Sequence, residues 1–299
     1  MLVIFAPFGG KAQAPDSLMA SNNQIDLING RIYLVASTQV VGFTGALIAL
    51  DQAWYKDFPR SAFHFHNDMP DWLQQDKLGH MVAAYQFGRI SFGMYQWAGI
   101  ENRQSAWLGA VSGTAFLTAI EVLDGFSAQW GASVADAVAN TLGTALFLTQ
   151  QITWEQQKMV LKYSFSASGL AKYRPHLLGN SLPEQMLKDY NGQTFWLSLN
   201  LHSAIPGSSL PKWLNLAVGH GASGMLGSRN NPDFFNGIEL PQIQRYRRWY
   251  LAPDIDFTRI HTQNPWLKAL LSGLNIFKMP APALEYNSID GFRLHWLFF

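Results

Sequence analysis

Phe195-Trp196-Leu197-Ser198-Leu199-Asn200-Leu201-His202 places a large apolar side chain at every second position. That two-residue period belongs to a β-strand whose two faces differ. It returns in Trp213 to Leu226, among small residues and many glycines, and in Asp254-Ile-Asp-Phe-Thr258. The end of the sequence, Gly291-Phe-Arg-Leu-His-Trp-Leu-Phe-Phe299, alternates again and closes on an aromatic. A short helix is expected over Pro265 to Phe277, before the break at Met279-Pro-Ala-Pro282. Residues 159–299 therefore read as a mainly antiparallel β region with a short inserted helix.

Upstream the period changes. Ile32 to Leu50, Gln104 to Ile120 and Ala137 to Trp154 carry no charge, and Leu78 to Ile100 carries only Arg89. Each approaches the roughly 20 residues that cross a bilayer as a helix. All four are rich in Ala, Gly, Ser and Thr, which let helices approach closely; a tightly packed soluble bundle has the same composition. Asp57-Phe-Pro-Arg60, Met69-Pro70 and Glu101-Asn-Arg103 break the segments, and Ser133-Val-Ala-Asp136 reads as a capping box. The expected fold class is α+β: an N-terminal four-helix, membrane-type bundle over 25–158, then the antiparallel β region over 159–299.

Charged residues make up 14% of the 299, against about 25% in ordinary soluble chains. Aromatics also reach 14%, with 11 Trp and 20 Phe, a bias that suits lipid and its headgroup layer. The formal charge of +1 and the lack of a long basic run argue against nucleic acid as a partner. There is no cysteine, hence no thiolate metal site, no Cys nucleophile and no lipoprotein-type acylation. Ala12-Gln13-Ala14 follows a short apolar stretch as a small-x-small cleavage pattern, so residues 1–14 read as the tail of a signal peptide.

Ionisable residues interrupt the apolar helices at helical spacing. Asp76 and His80 share a face, with Lys77 about 100° round; Thr114, Thr118 and Glu121 share another; Asp136, Asn140 and Gly143 a third. Pointed into one pocket, His80 and Glu121 form an acid/base pair, Asp76 orients His80, and Asp136 with Asn140 positions a substrate. Oxygen and imidazole ligands also suit a cation; no cofactor is specified. The structural alternatives are concrete: Asp76 favoured by the helix dipole, His80 a core histidine, Asp136 a cap residue, Asn140 a bridge between helices. Glu121 follows a long uncharged run, where a carboxylate is expensive unless paired. Phe63-His-Phe-His-Asn-Asp68 lacks a third metal ligand and reads as an interfacial loop. Arg245-Tyr-Arg-Arg-Trp-Tyr250 suits a lipid headgroup interface or an exposed strand. There is no Gly-x-Ser-x-Gly elbow and no phosphate-binding glycine loop.

Asp76-Lys-x-x-His80, Glu121-Val-Leu-Asp-Gly-Phe-Ser127, Trp130 and Ser133-x-x-Asp136-x-x-x-Asn140-x-x-Gly143 together resemble the uncharacterised envelope family typified by the YfiM lipoproteins, over about residues 71–150. The same order is similar to VanZ-like membrane proteins. Lys188-Asp-Tyr-Asn-Gly-Gln-Thr194 and Pro211-Lys-Trp-Leu-Asn215 resemble longer members from Bacteroidetes-type bacteria. VanZ-like proteins tend to carry Gln soon after the Glu and Arg before the Asp; here those places hold Asp124 and Gln129-Trp130, so a role in glycopeptide resistance does not carry over. The aromatic end of the last strand resembles the terminal signature of outer-membrane barrels. The resemblance implies the bacterial cell envelope, at the outer membrane or its periplasmic face. Expected partners are a membrane lipid or lipid-linked glycan and other envelope proteins. The expected role is an enzyme on such a lipid through the Glu/His/Asp/Asn pocket. Its alternatives are a structural or assembly factor of the outer membrane, or a lipid-binding or transport module.

Overall fold

The computed structural model describes residues 17–56, 58–205 and 207–299, with side chains from residue 26 onward; the expected signal segment lies outside them. The chain divides into two compact units. One holds 69–82 and 158–299; the other holds the described residues up to Asp68 together with 83–157.

The helical unit is built from α1 (Ser17–Leu50), the part of α2 (Gln75–Ala98) beyond Val82, α3 (Asn102–Gly125) and α4 (Val134–Trp154). A turn of π-helix, Asp51–Tyr55, extends α1. Ser133 caps α4, its Oγ accepting from the Asp136 amide at 3.0 Å, as the capping pattern predicts. Helices α2 and α3 cross with their backbones in contact: a Cβ on Gly109 would stand 2.6 Å from the Gly88 carbonyl oxygen and 2.8 Å from the Phe92 nitrogen. Gly109 and Gly113 lie one turn apart and form the small-residue seam that permits this. Ala84, Phe116 and Leu117 form a core with Phe43, Leu47, Phe87 and Ile120 around them. Buried Gln39 accepts from the Tyr95 and Ser112 hydroxyls at 3.0 and 3.1 Å.

Among the described residues, two stretches are long and apolar enough to cross a membrane: Asp26–Tyr55 and Asn102–Gly125. The expectation of four such helices is thus met by α1 and α3 alone. Helix α2 carries Asp76, Lys77 and Arg89, and α4 carries Asp136, Asn140, Gln150 and Gln151, which dilute their hydropathy.

The sheet unit contains β1 (Met159–Phe165), β2 (Gln193–Asn200), β3 (Leu214–Ser223), β6 (Tyr246–Ile255), β7 (Ala281–Asn287) and β8 (Gly291–Phe298), antiparallel and adjacent in that order. Strands β4 (Phe234–Phe235) and β5 (Ile238–Glu239) make a separate hairpin, turned at Asn236-Gly237, both of positive φ. Short helices α5 (Pro175–Leu178), α6 (Leu182–Lys188) and α7 (Leu201–Ala204) fill the connections, and α8 (Pro265–Leu274) precedes β7. Leu178, Leu226 and Leu240 form a small apolar core with Ala171, and Trp72 and Ile243 pack on it.

The sheet curls strongly. Strands β2 and β8 stand four places apart, about 19 Å in a flat sheet. Yet the Trp196 and Phe298 rings lie 6.1 Å apart on the concave side, and Tyr250 stacks on Phe298 at 4.3 Å. At the far edge, Tyr163 of β1 donates its amide to the Ile276 carbonyl and accepts from the Lys278 amide. The chain leading into β7 therefore closes on β1. Tyr163 shares a row with Tyr286 going round the sheet, but meets Phe277 across this seam. That offset is the stagger of a tilted barrel.

Candidate functional site

The concave side of the sheet mixes buried polar groups with a small cluster of Trp196, Ala217, Tyr250, Ala252 and Ala283, while the convex side is apolar and largely open, unlike the outer face of a soluble sheet. Inside, Lys162 and Asp254 pair at 2.8 Å with both side chains fully buried. Lys162 also donates to the Ile255 carbonyl at 2.7 Å, and Asp254 accepts from Ser198 at 2.7 Å. Asn215 donates to Ser198, and Asn200 to Asn215. Glu285 meets Asn287 and His295, each at 2.7 Å. The Trp196 indole donates to Ser164 and lies against Gly219, where a Cβ would stand 2.7 Å from the ring. A buried ion pair is tolerated where its remaining donors and lone pairs are satisfied in this way.

The convex face reads in rows across the strands. Tyr163, Phe195, His220, Trp249, Tyr286 and Phe292 are successive cross-strand partners, an aromatic row spanning all six strands. One step along is an aliphatic row, Leu161, Leu197, Val218, Leu251, Leu284 and Leu294. The next holds Met159, Leu199, Leu216 and Pro253. Strand β1 is largely buried on both sides; from Leu197 to β8 these side chains are open, Leu294 at 58% and Trp296 at 81%. A bulge in β8 sets Leu297 outward beside Trp296 and returns Phe298 to the interior. Arg247 shares this face just beyond the aromatic row.

Asp76 and His80, expected together, do share a helix face in the sheet unit. Asp76 accepts from Tyr190 at 2.6 Å and from Lys77 at 2.8 Å, while His80 Nε2 stands 3.8 Å from its Oδ1. Burial alone would raise the Asp76 carboxyl; the His80 and Lys77 charges, with the hydrogen bonds from Lys77 and Tyr190, outweigh it and hold the group below the usual range. Ahead of it, Trp72, Leu73 and Gln74 all take left-handed conformations (φ 49°, 52° and 64°), which L-residues adopt only under outside constraint. Trp72 is tied to the Ser228 carbonyl, Asp71 to Arg229 and Gln74 to Arg247.

Glu121, Asp136 and Asn140 belong to the helical unit, all buried. Glu121 Oε2 accepts the Ser133 amide at 3.0 Å, and the Ser133 hydroxyl donates to Asp68 at 2.5 Å. Ser133 thus engages Glu121, Asp68 and the Asp136 backbone at once. Thr114 pairs with Thr144 of α4 at 3.2 Å. The segment Pro59–His66 lies along Gly125–Ala132 through five backbone hydrogen bonds, and both ring nitrogens of His64 have protein partners. The His-x-His tract docks a loop. Tyr190, Asp68 and Ser133 as a hub escaped the sequence reading; Asp68 ended a tract read for its histidines, and Tyr190 is remote in sequence from Asp76.

The profile of a family described as predicted periplasmic lipoproteins, the domain of unknown function DUF2279, matches residues 65–151. That description agrees with the expected address in the cell envelope, membrane-associated at the periplasmic face. No curated protein and no solved structure matches the chain.

Proposed function

We propose that this protein is embedded in the outer membrane through its coiled sheet and serves there as a lipid-contacting module of the envelope. The outer face of the sheet carries the reading. An apolar, open convex face with an aromatic row at its rim, over an interior where hydrogen-bonded polar groups surround a small aromatic cluster, is how strands meet lipid. Strands β3 and β6 have 10 residues each, within the roughly 9–11 that span a bilayer when tilted. The absence of cysteine in the sequence allows a clean test. Leu294→Cys and Ser288→Cys variants are inserted in phosphatidylcholine vesicles and treated with a membrane-impermeant maleimide. Position 288 reacts and position 294 stays protected until detergent is added. Equal labelling of both in intact vesicles refutes the embedding.

A second reading, acid–base chemistry on an envelope lipid or lipid-linked glycan, is favoured by the Asp76 carboxylate facing the His80 imidazole. Under it Glu121→Gln and His80→Gln each abolish a lipid change in complemented deletion strains at matched protein level; full complementation by both removes it.

A further inference from the structure

At the end of the sheet where the aromatic row lies, Leu73, Arg245, Arg247, Trp249 and Tyr286 bound an open cleft of about 300 Å³. Its floor continues into the aliphatic row through the pairs Trp249–Tyr286 and Leu251–Leu284. Its cationic side is under-used. Arg245 spends one nitrogen on the Ser228 carbonyl, while its Nε and Nη1 are buried and meet no acceptor. Buried guanidinium donors left in that state are destabilising unless an acceptor arrives. Arg247 is exposed, with one nitrogen on Gln74. Asp71, the nearby acid, pairs with Arg229 at 2.6 Å and also acts on Arg245 through its charge, so the cleft carries more cationic than anionic groups but is not free of acid. The strained turn Trp72–Gln74 brings Leu73 to the rim, and strain of this kind gathers where a ligand is clamped.

We propose that this cleft holds the phosphate of an anionic membrane lipid between Arg245 and Arg247, with its acyl chains lying along Leu251 and Leu284. The inference rests on the membrane reading and deepens it. Two independent features agree on the ligand: cationic donors lacking an acceptor, and an apolar track leading away from them. A planar, forked guanidinium matches a phosphate oxygen pair. Trp249 and Tyr286 sit where headgroup meets hydrocarbon, the depth aromatic side chains prefer.

The test uses the full chain in neutral detergent, titrated with phosphatidylglycerol, phosphatidylcholine or inorganic phosphate and read by native mass spectrometry. Phosphatidylglycerol is expected to bind more tightly than phosphatidylcholine. Arg247→Gln, at an exposed position, weakens it about fivefold, and Arg245→Gln with Arg247→Gln about 25-fold, at the usual worth of one arginine near an anionic surface; an unchanged urea midpoint for each variant separates lost headgroup contact from a loosened Trp72–Gln74 turn. Phosphatidylcholine, whose phosphate charge is offset by its choline, is weakened less than phosphatidylglycerol in both variants. Equal affinity for the two lipids, or unchanged phosphatidylglycerol binding in both variants, overturns the site. Inorganic phosphate binding as tightly as phosphatidylglycerol overturns the lipid. Protection of Leu294→Cys in pure phosphatidylcholine vesicles does not depend on the arginines. If it holds while selectivity is missing, only the headgroup site falls; if it is lost, the membrane reading falls and takes this site with it.

Discussion

Replacing Leu251 with arginine puts a charge in the aliphatic row of the convex face, at a position 44% exposed. In water such a change at a half-open strand position alters stability by no more than about 0.5 kcal/mol. In lipid the depth decides. Leu251 is two residues along β6 from Trp249, about 7 Å at strand rise, and about 5 Å deeper once a 45° tilt is applied. An arginine is destabilising by about 2–4 kcal/mol at the bilayer midplane and about 0–1 near the interface. At this intermediate depth about 2 kcal/mol is expected, roughly a thirtyfold shift in the folded ratio. Trp249→Arg, in the aromatic row, should lose less than 1 kcal/mol of membrane stability beyond the packing of its ring. The assay is reversible unfolding by urea in phosphatidylcholine vesicles, followed by heat-dependent gel mobility. If Leu251→Arg matches wild type there, or the protein folds without lipid or detergent with the same midpoint, the lipid-facing reasoning is wrong.

Asp254→Ala strands a fully buried Lys162 and should remove about 3–5 kcal/mol, with Lys162→Met on the same background restoring most of it; thermal melts of the three proteins decide. Gly109→Ala forces α2 and α3 apart and should lose about 1–3 kcal/mol, while Gly93→Ala, with open space around it, stays neutral or gains, both read from urea midpoints. Ser133→Ala removes a helix cap and the bond to Asp68, an expected loss of about 1–2 kcal/mol by the same measure. For Asp76 the folded carboxyl titrates below its ordinary 3.8, so its stabilisation is complete above that value and lost as pH falls through the folded one. Wild type should exceed Asp76→Asn in stability at pH 7, and the gap should begin to narrow below about pH 4 and go on shrinking as pH falls; a gap constant from pH 7 to 3 contradicts the ion-pair account.

The alternation of Phe195 to Asn200 was legible as a strand, although Leu201 and His202, which continue the period, turn into α7, and the strand's sense was not legible. A period of two looks the same whichever face is buried, and only the curl that brings Phe298 onto Trp196 decides that serine and asparagine go inside. The helices were legible because their uncharged runs are long, and the α4 cap because its chemistry is local. Residues 69–82 joining the sheet unit had no sequence signal. The left-handed run at Trp72–Gln74 contains no glycine or asparagine, the residues that advertise such a turn. The small-residue pair Gly109 and Gly113 was present in the sequence at helical spacing, yet the partner it admits, Gly88, is a tertiary fact.

The seam at Tyr163 also sets the order in which the sheet is made and unmade. Strands β1, β2 and β3 meet as chain neighbours, as do β6, β7 and β8. Tyr163 and Phe277 meet only after nearly the whole unit is threaded between them. Such long-range pairing carries the largest loop-closure entropy and forms late. Hairpins accumulate first and the ring shuts last. Two backbone hydrogen bonds at Tyr163 hold that closure; amide exchange at Tyr163 and Lys278 should therefore outpace exchange in the middle of β3, and the seam is where the ring first opens.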